Sequence, residues 1–414
     1  MALVGSDLDL AGRLSRFDRL RPVLGAVAAA SSGATPVYLV GGTVRDILLG
    51  EPGFDVDLAV EGDGLRFAEA LARELGGRVR SHDAFGTAAL EYGDRERVDV
   101  VTARRERYES PAALPTVEPG SIEDDLARRD FTINAMAVAL TGDAAGALVD
   151  PFHGRGDLEG RTVRVLHDES FVDDPTRIFR AVRYASRYGF RLDDDTERLA
   201  RAAIAGGLVD RLTPARLRDE LVLLLDEPQA PASIRQLGEL GVDSGLAADD
   251  EAAALLERLR ELRDAYGLAI PSWRLGLEAL TRNLGAEARP WLDALKLRRR
   301  DVQAAAAAVS EGPRLAQELR DAKTPAEVVA LAEPYGPDAP LFALALADLP
   351  ALRDYFDRLR DVRLEVDGSD LAALGLGESP RVGEVLAELR RRKLNGELDG
   401  RDSELAAARE LIAQ

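Results

Sequence analysis

The chain has 414 residues, of which 46% are hydrophobic, and its formal net charge at pH 7 is −19. That length allows more than one domain, and the absence of cysteine excludes disulfides and thiolate metal sites. The acidic balance argues against a general nucleic-acid binder, and no apolar run suits a membrane span or a signal peptide, so we expect a cytoplasmic protein.

The first clear element is a strand followed by a glycine turn and a short helix. The strand Val37–Val40 ends at Gly41 and Gly42, and a helix over Thr43–Leu49 follows. Glycines at this point let backbone N–H groups approach a phosphate at the helix N-terminus. Arg45 adds a planar set of donors beside that anion site. Alone, such a turn is usually structural.

A pair of aspartates lies on the second strand, in the sequence FDVDLAV. Side chains alternate along a strand, so Asp55 and Asp57 point the same way while Val56 and Leu58 point into the core. Like charges this close favour a cation between them, and oxygen ligands suit Mg²⁺. The alternative is a solvated strand end. Because the pair follows a phosphate-binding turn, it predicts a metal site.

The next segment completes a small mixed sheet. A helix over Leu65–Leu75 precedes three short strands, Arg78–Ser81, Ala88–Tyr92 and Arg97–Thr102. Asp99 in the last strand occupies a position from which it can present a third carboxylate to the aspartate pair. By default, a charged residue on an edge strand is solvated, and only the expected strand adjacency favours a role for Asp99.

Residues 103–127 contain three prolines and little periodicity. They predict a mobile loop that ends at a helix start capped by Ser121 and Asp124. The string RRDFTINAMA, Arg128–Ala137, comes next. On its residues alone it is a capped helix or turn with a polar residue near its N-cap.

The segment Asp173–Leu192 carries a ladder of arginines on a predicted helix. Arg177, Arg180 and Arg183 recur three residues apart and therefore share a face, with Asp174 just before them. Helix capping alone explains Asp174, but it does not explain the arginines.

From residue 193 onward the sequence predicts helices almost throughout. One of them, in Leu212–Leu225, should begin at Pro214 after a Thr213 cap. Basic residues cluster at Lys296–Arg300, which we interpret as a solvated helix face.

These motifs together resemble a known family. VGGTVRD with DVD resembles the class II branch of the nucleotidyltransferase superfamily that includes DNA polymerase β, namely the CCA-adding enzymes and bacterial poly(A) polymerases; RRDFTINAMA is nearly identical to that family's second motif. The resemblance implies an α+β fold, with an N-terminal mixed-sheet nucleotidyltransferase head followed by an all-α neck, body and tail. The implied bounds are 1–149 for the head, 150–226 for the neck, 227–362 for the body and 363–414 for an RNA-contacting tail.

The resemblance also implies the chemistry, which is template-independent addition of CMP and/or AMP from CTP or ATP to the tRNA 3′ end. Mg²⁺ would be held by Asp55 and Asp57, with Asp99 as a third catalytic carboxylate. The implied nucleotide contacts are Gly41, Gly42, Arg45, Arg129, Asp130 and Asn134, with Asp174 and Arg177 at the base edge and Arg180 and Arg183 at the triphosphate. Alternatives that stay open are a poly(A) polymerase, an enzyme adding only CC or only A, and a non-catalytic nucleotide- or RNA-binding module.

Overall fold

The computed structural model describes residues 14, 17–18, 20–31, 35–51, 55–82, 86–94, 96–107, 116–243 and 245–413. The chain divides into two units, Met1–Thr213 and Pro214–Gln414. The first unit contains every strand, and the second consists of helices within its described residues. This order confirms a mixed-sheet head followed by helices.

A seven-stranded mixed sheet is the centre of the first unit. The strands are β1 (Val37–Val40), β2 (Val56–Val60), β3 (Arg78–His82), β4 (Thr87–Tyr92), β5 (Glu96–Thr102), β6 (Arg104–Arg107), β7 (Thr116–Pro119), β8 (Ala137–Ala139), β9 (Leu148–Val149), β10 (Thr162–Val163) and β11 (Arg191–Leu192). The order in the large sheet is β3-β4-β5-β2-β1-β8-β9. Only β2 and β5 pair in parallel, and the other neighbours in this sheet are antiparallel.

Eight helices are described in the first unit. They are α1 (Leu20–Ala30), α2 (Gly42–Leu49), α3 (Gly64–Leu75), α4 (Ile122–Ala127), α5 (Gly154–Glu159), α6 (Ser170–Asp173), α7 (Thr176–Tyr188) and α8 (Asp194–Ala205). Ile122 and Leu126 of α4 pack with Val40 and Ala59 on one face of the sheet. Leu58, whose side chain alternates with that of Ala59, is also fully buried. Both faces at the centre of the sheet are therefore covered.

The segment predicted as a mobile loop is described at both ends. Strands β6 and β7 pair as an antiparallel ribbon, which the sequence did not predict. Helix α4 begins with the predicted capping box, in which Ser121 accepts from the Asp124 N–H and the Asp124 carboxylate accepts from the Ser121 N–H. Residues 108–115 lie outside the described part of the chain.

Twelve helices are described in the second unit. They are α9 (Pro214–Asp226), α10 (Ala230–Leu240), α11 (Asp250–Ala265), α12 (Ser272–Leu280), α13 (Ala288–Ala294), α14 (Arg299–Glu318), α15 (Pro325–Ala332), α16 (Asp338–Leu346), α17 (Pro350–Asp357), α18 (Gly368–Ala373), α19 (Pro380–Leu394) and α20 (Gly400–Ala413). The predicted start at Pro214 is confirmed. No helix in the described ranges is long and apolar enough to cross a membrane.

The last three helices enclose a small apolar cluster of their own. Beside it, the buried carboxylate of Glu404 accepts hydrogen bonds from the N–H groups of Glu365 and Val366 at 2.8 and 2.9 Å. Its other oxygen lies 2.6 Å from Lys393 Nζ. A buried charge that is paired and fully hydrogen-bonded fixes the segment before α18 to α19 and α20.

Candidate active site

Asp57 and Asp99 are direct partners on the two parallel strands of the sheet. The β2–β5 register pairs Val56 with Val98 and Asp57 with Asp99, so the two carboxylates project from the same face side by side. Val56 and Val98 are buried on the opposite face. Asp55 lies just before β2 and is exposed. The structure therefore brings Asp99 to the aspartate pair, as the sequence predicted.

The pKa of Asp57 reflects burial together with the charges of its neighbours. Burial raises the pKa of Asp57 to about 6; Arg129 opposes that shift, whereas the negative charges of Asp99 and Asp55 add to it. Asp99 is itself paired with Arg97, whose Nη2 lies 2.9 Å away.

The donor set of this site is made of carboxylate oxygen atoms, which fits a hard divalent cation. Asp55 and Asp57, with Asp99 beside them, are the residues that would hold it. Among the described residues, however, no group of three His, Cys, Asp or Glu side chains lies in an arrangement that could hold a metal ion. A cation would therefore need these carboxylates to draw together, or water to complete its ligands.

Thr43 fixes the segment that carries the two aspartates. Its hydroxyl donates to the carbonyl oxygen of Asp55 at 2.7 Å and accepts from the N–H of Asp57 at 3.0 Å. The side chain is almost fully buried in the first turn of α2. Thr43 was not among the site residues predicted from the sequence. A hydroxyl in the helix that follows the glycine turn was the available signal, but its partner lies twelve positions later.

The glycine turn brings Arg129 close to the backbone. Gly41 has φ 64° and ψ −130°, a conformation that favours glycine, and a Cβ atom there would lie 2.3 Å from Arg129 Nη1. Arg129 Nη2 donates to Asp125 at 2.8 Å, and Asp125 is completely buried. Gly41 and Arg129 therefore meet, and Arg129 acts electrostatically on Asp57. This grouping places a guanidinium beside a glycine turn, which is the kind of charge that a triphosphate requires.

Arg45 is engaged inside the protein rather than at an open anion site. Its guanidinium donates to Asp46 at 2.8 Å and to Asn134 at 2.5 Å, and it lies over the rings of Tyr184 and Tyr188 at 5.1 and 4.8 Å. Burial opposes its charge, but the hydrogen bond with Asp46 raises the Arg45 pKa above its ordinary value. In this structure Arg45 joins α2 to α7, and its expected contact with a nucleotide stays a prediction.

Asp130 connects the second motif to the arginine ladder. One carboxylate oxygen accepts from Arg180 Nη2 at 2.6 Å, and the other accepts from Asn134 Nδ2 at 2.9 Å. Burial alone would raise the pKa of Asp130, but Arg180 and the bond from Asn134 lower it to about 2. Asp130 and Asn134 are therefore structural partners of Arg180 and Arg45.

The residues expected to read the base also have protein partners. Asp174 Oδ1 accepts from the N–H and the hydroxyl of Thr176, at 2.9 and 2.5 Å, so it caps the start of α7. The buried Arg177 donates to Ser170 Oγ at 2.7 Å and to the carbonyl oxygen of Arg128 at 3.0 Å. The capping interpretation of Asp174 is confirmed as a contact, and a role in base reading stays a prediction.

Arg183 is buried and lies over the ring of Tyr184, with the guanidinium carbon 4.9 Å from the ring centroid. Its expected triphosphate contact also stays a prediction. Nine of the predicted site residues thus form two neighbouring groups. One holds Asp55, Asp57, Asp99, Gly41 and Arg129, and the other holds Arg45, Asp130, Asn134 and Arg180.

Comparison with known proteins finds relatives along most of the chain. A family model described as the poly A polymerase head domain matches residues 37–164, and one described as a probable RNA- and SrmB-binding site of polymerase A matches residues 189–245. A CC-adding tRNA nucleotidyltransferase from Deinococcus radiodurans is 36% identical over 91% of this chain and 89% of its own. An A-adding tRNA nucleotidyltransferase from Geobacter sulfurreducens is also 36% identical, over 90% of this chain and 45% of its own.

A solved structure matches nearly the whole chain. The Thermotoga maritima CCA-adding enzyme complexed with tRNA covers 98% of each chain, with a TM-score of 0.79 and 30% identity. The chain spans only about half the length of several A-adding relatives, with coverage of 45%, 54% and 45%.

Proposed function

Because this chain belongs to the class II tRNA nucleotidyltransferase family, which includes CCA-adding, CC-adding and A-adding enzymes, we propose that it adds nucleotides to the 3′ end of tRNA. The substrates are CTP and/or ATP and a tRNA whose 3′ terminus is incomplete. The observation that carries the proposal is the pairing of Asp57 with Asp99 on neighbouring strands. Arg129, which lies beside the glycine turn, interacts electrostatically with Asp57. A protein that only binds RNA has no need of adjacent carboxylates at this position.

In the proposed reaction the 3′ hydroxyl of tRNA attacks the α-phosphate of the nucleoside triphosphate, and pyrophosphate leaves. A bound Mg²⁺ supplies charge neutralisation and activation of the hydroxyl. Asp55 and Asp57 would hold this ion, and Asp99 would orient the 3′ hydroxyl or accept its proton. Gly41 and Arg129 bind the triphosphate, while Thr43 keeps the aspartate segment in place.

Base choice is proposed to come from the start of α7. A carboxylate at Asp174 accepts from an exocyclic amine, and Arg177 donates to the neighbouring ring acceptor, a pair of groups that C and A share. These side chains contact Thr176 and Ser170 in the structure, so base binding has to exchange some of those contacts. A tRNA substrate also suits the cytoplasmic location expected from the sequence.

The similar proteins differ in whether they add A, CC or the complete CCA, so the product distinguishes the remaining alternatives. The test incubates the protein with tRNA lacking one, two or three terminal nucleotides, each with one labelled nucleoside triphosphate. The Asp57→Asn chain is the inactive control. Addition of only A, only CC or long poly(A) would identify those specialised activities, and no incorporation with any substrate would overturn the proposal.

A further inference from the structure

Two helices of the second unit are buried along most of their length, and each carries an acidic residue in its buried part. In α12, residues 275–280 are all buried, and Glu278 is among them. In α16 the buried run covers residues 338–345 and begins with Asp338. Glu278 is 0% exposed and Asp338 is 1% exposed. A carboxylate at such a position has to be paired, or it has to lose its charge.

Asp338 has a cationic partner on α12. Arg274 lies one turn before Glu278 on this helix, and its Nε is 2.7 Å from Asp338 Oδ1. Arg274 Nη1 also donates to the buried Asp301 of α14 at 2.8 Å. One guanidinium therefore serves two buried carboxylates and joins α12 to α14 and α16.

Glu278, in contrast, has no hydrogen-bond donor. Neither of its carboxylate oxygens accepts a hydrogen bond from any residue in the described part of the chain. Asp338 lies within hydrogen-bonding reach, but an ionised carboxylate is only an acceptor. A protonated carboxyl group can donate to an ionised one, whereas two ionised groups repel each other. The contact is therefore satisfied only when a proton lies between the two residues.

The surroundings decide which of the two residues carries this proton. Asp338 is paired with Arg274 and lies in the first turn of α16, where the helix dipole stabilises a negative charge. Glu278 lies near the end of α12, where the dipole disfavours a negative charge. Burial raises the pKa of Glu278 well above its ordinary value; the charge of Asp338 and the hydrogen bond with it add to this shift, and Arg274 opposes it. The proton is therefore better placed on Glu278.

We propose that Glu278 is a neutral carboxylic acid in the folded chain and donates a hydrogen bond to Asp338, so that one proton holds α12 against α16. The charged groups that face it are Asp338 of α16 and Arg274 of its own helix. Asp301 of α14 is the second partner of Arg274. None of these residues belongs to the candidate active site, so the inference does not depend on the proposed function.

A proton held in this way makes the helical unit sensitive to alkaline pH. The ordinary pKa of Glu278 is 4.5, and below that pH the folded and the unfolded chain both hold the proton. At higher pH the unfolded chain releases it while the folded chain keeps it. The free energy of unfolding therefore falls as the pH rises, until Glu278 ionises in the folded chain as well. Each pH unit in this range should reduce the ratio of folded to unfolded chain by up to about tenfold.

The experiment is urea unfolding of the full chain from about pH 5 to 9, followed by tryptophan fluorescence. Both tryptophans, Trp273 and Trp291, lie in the second unit, so the signal reports on that unit. The test variant is Glu278→Gln, which keeps the shape and presents an NH₂ donor to Asp338 at every pH. The matched control, Glu261→Gln, removes an exposed carboxylate of α11.

Relative to the unmodified chain, Glu278→Gln should become more stable as the pH rises, by up to about tenfold in the folding constant per pH unit. Glu261→Gln should keep the pH dependence of the unmodified chain. A difference between the Glu278→Gln chain and the unmodified chain that stays constant with pH would overturn the inference.

Infrared spectroscopy of the unmodified chain tests the same proton without a variant. At about pH 7 exposed carboxylates are ionised, and Asp57, whose pKa is about 6, is largely ionised as well. The carbonyl band of a protonated carboxyl group should nevertheless be present, and it should be lost in a folded Glu278→Gln chain. Absence of the band from the unmodified chain, or its persistence in the variant, would overturn the assignment to Glu278. Nucleotide addition by the unmodified chain is measured separately and is not affected by either result.

Discussion

The side chain of Thr43 holds the backbone of the segment that carries the candidate metal ligands. One hydroxyl bonds to both Asp55 and Asp57, and burial keeps water from replacing it. Such a residue acts on catalysis through the carboxylates it positions. Burial and the neighbouring acids raise the pKa of Asp57, whereas the Thr43 hydroxyl contributes geometry.

Replacing Thr43 with valine should therefore reduce nucleotide addition about 10- to 100-fold, the range typical for groups that orient metal ligands. The shape is retained and two hydrogen bonds are lost, which costs about 1 kcal/mol each in stability. The Mg²⁺ concentration for half-maximal activity should rise in Thr43→Val. Thr43→Ser keeps the hydroxyl and should restore the ordinary Mg²⁺ dependence; an unchanged Mg²⁺ requirement in the valine variant would limit Thr43 to a packing role.

Asp174 is the residue at which capping and base reading can be separated. Asparagine caps helices about as well as aspartate, so Asp174→Asn should leave the thermal midpoint nearly unchanged. The asparagine side chain replaces one accepting carboxylate oxygen with a donating NH₂ group. If Asp174 reads the base edge, the preference for CTP or ATP over UTP should change by ~1–3 kcal/mol.

The measurement is steady-state addition with four nucleoside triphosphates on one tRNA. Asp193→Asn is the matched control, because Asp193 caps α8 by accepting from two backbone N–H groups and has no proposed contact with nucleotide. A preference that stays the same in both variants would assign Asp174 to helix capping only.

At the scale of elements, the turn from β1 into α2 leaves room for the guanidinium of Arg129 beside Gly41. Gly41→Ala puts a methyl group where Arg129 Nη1 lies and forces that guanidinium to move. We expect the KM for nucleoside triphosphate to rise about 10-fold or more, since a charge-assisted contact is worth roughly 1.5–3 kcal/mol. Gly76→Ala is the control, because Gly76 also has φ 64° but a Cβ atom there meets nothing within 4 Å. Equal KM values in the two variants would contradict a triphosphate site at this turn.

Many of these elements could be predicted from sequence because their signals are local. The alternation of FDVDLAV determines which side chains of β2 enter the core, and the observed strand keeps Val56 and Leu58 buried. The adjacency of Asp57 and Asp99 could be predicted as well, because aspartates on two neighbouring strands can project from the same face of the sheet.

The partners of the arginines could not be predicted in this way. Arg45 meets Tyr184 and Tyr188 about 140 positions later, and Asp130 meets Arg180 fifty positions later. Helical spacing places the arginines on one face of α7, but it does not state whether that face meets a triphosphate or a buried carboxylate. Tertiary packing decides that question.

The contact between Asp130 and Arg180 makes the attachment of α7 to the second motif sensitive to acid. The folded pKa of Asp130, about 2, lies below its ordinary value of 3.8, so this carboxylate contributes stability above about pH 4 and loses it as the pH falls through 2. The difference corresponds to about 2 kcal/mol.

Asp130→Asn should lower the free energy of unfolding by at least about this amount at pH 6, and the difference from the unmodified chain should shrink between pH 4 and 2. Urea unfolding at a series of pH values would measure it. Asp94→Asn removes an exposed carboxylate of the same unit and should have no effect. A loss that is constant across this pH range would show that the charge of Asp130 does not stabilise the folded chain.

At the scale of the whole molecule, each of the two units contains an apolar cluster and a buried carboxylate of its own. The first unit buries Asp130 between the second motif and α7, whereas the second buries Glu404 beside its last helices. A chain of this size with two such units is not expected to unfold in a single two-state step. We expect two calorimetric transitions. Substituting the buried carboxylate of one unit should shift only the transition of that unit.

Asp130→Asn should lower the midpoint of one transition, and Glu404→Gln should lower the other. Gln presents a donor where Glu404 accepts from two N–H groups and Lys393, so the loss should be a few kcal/mol. For units of about 200 residues each kcal/mol shifts the midpoint by roughly 2–4 °C, so scanning calorimetry resolves both changes. A double variant should show the two shifts unchanged, because the sites lie in different units. A single transition whose midpoint shifts in both variants would contradict this expectation. It would mean that the two units unfold cooperatively, with one free energy of unfolding.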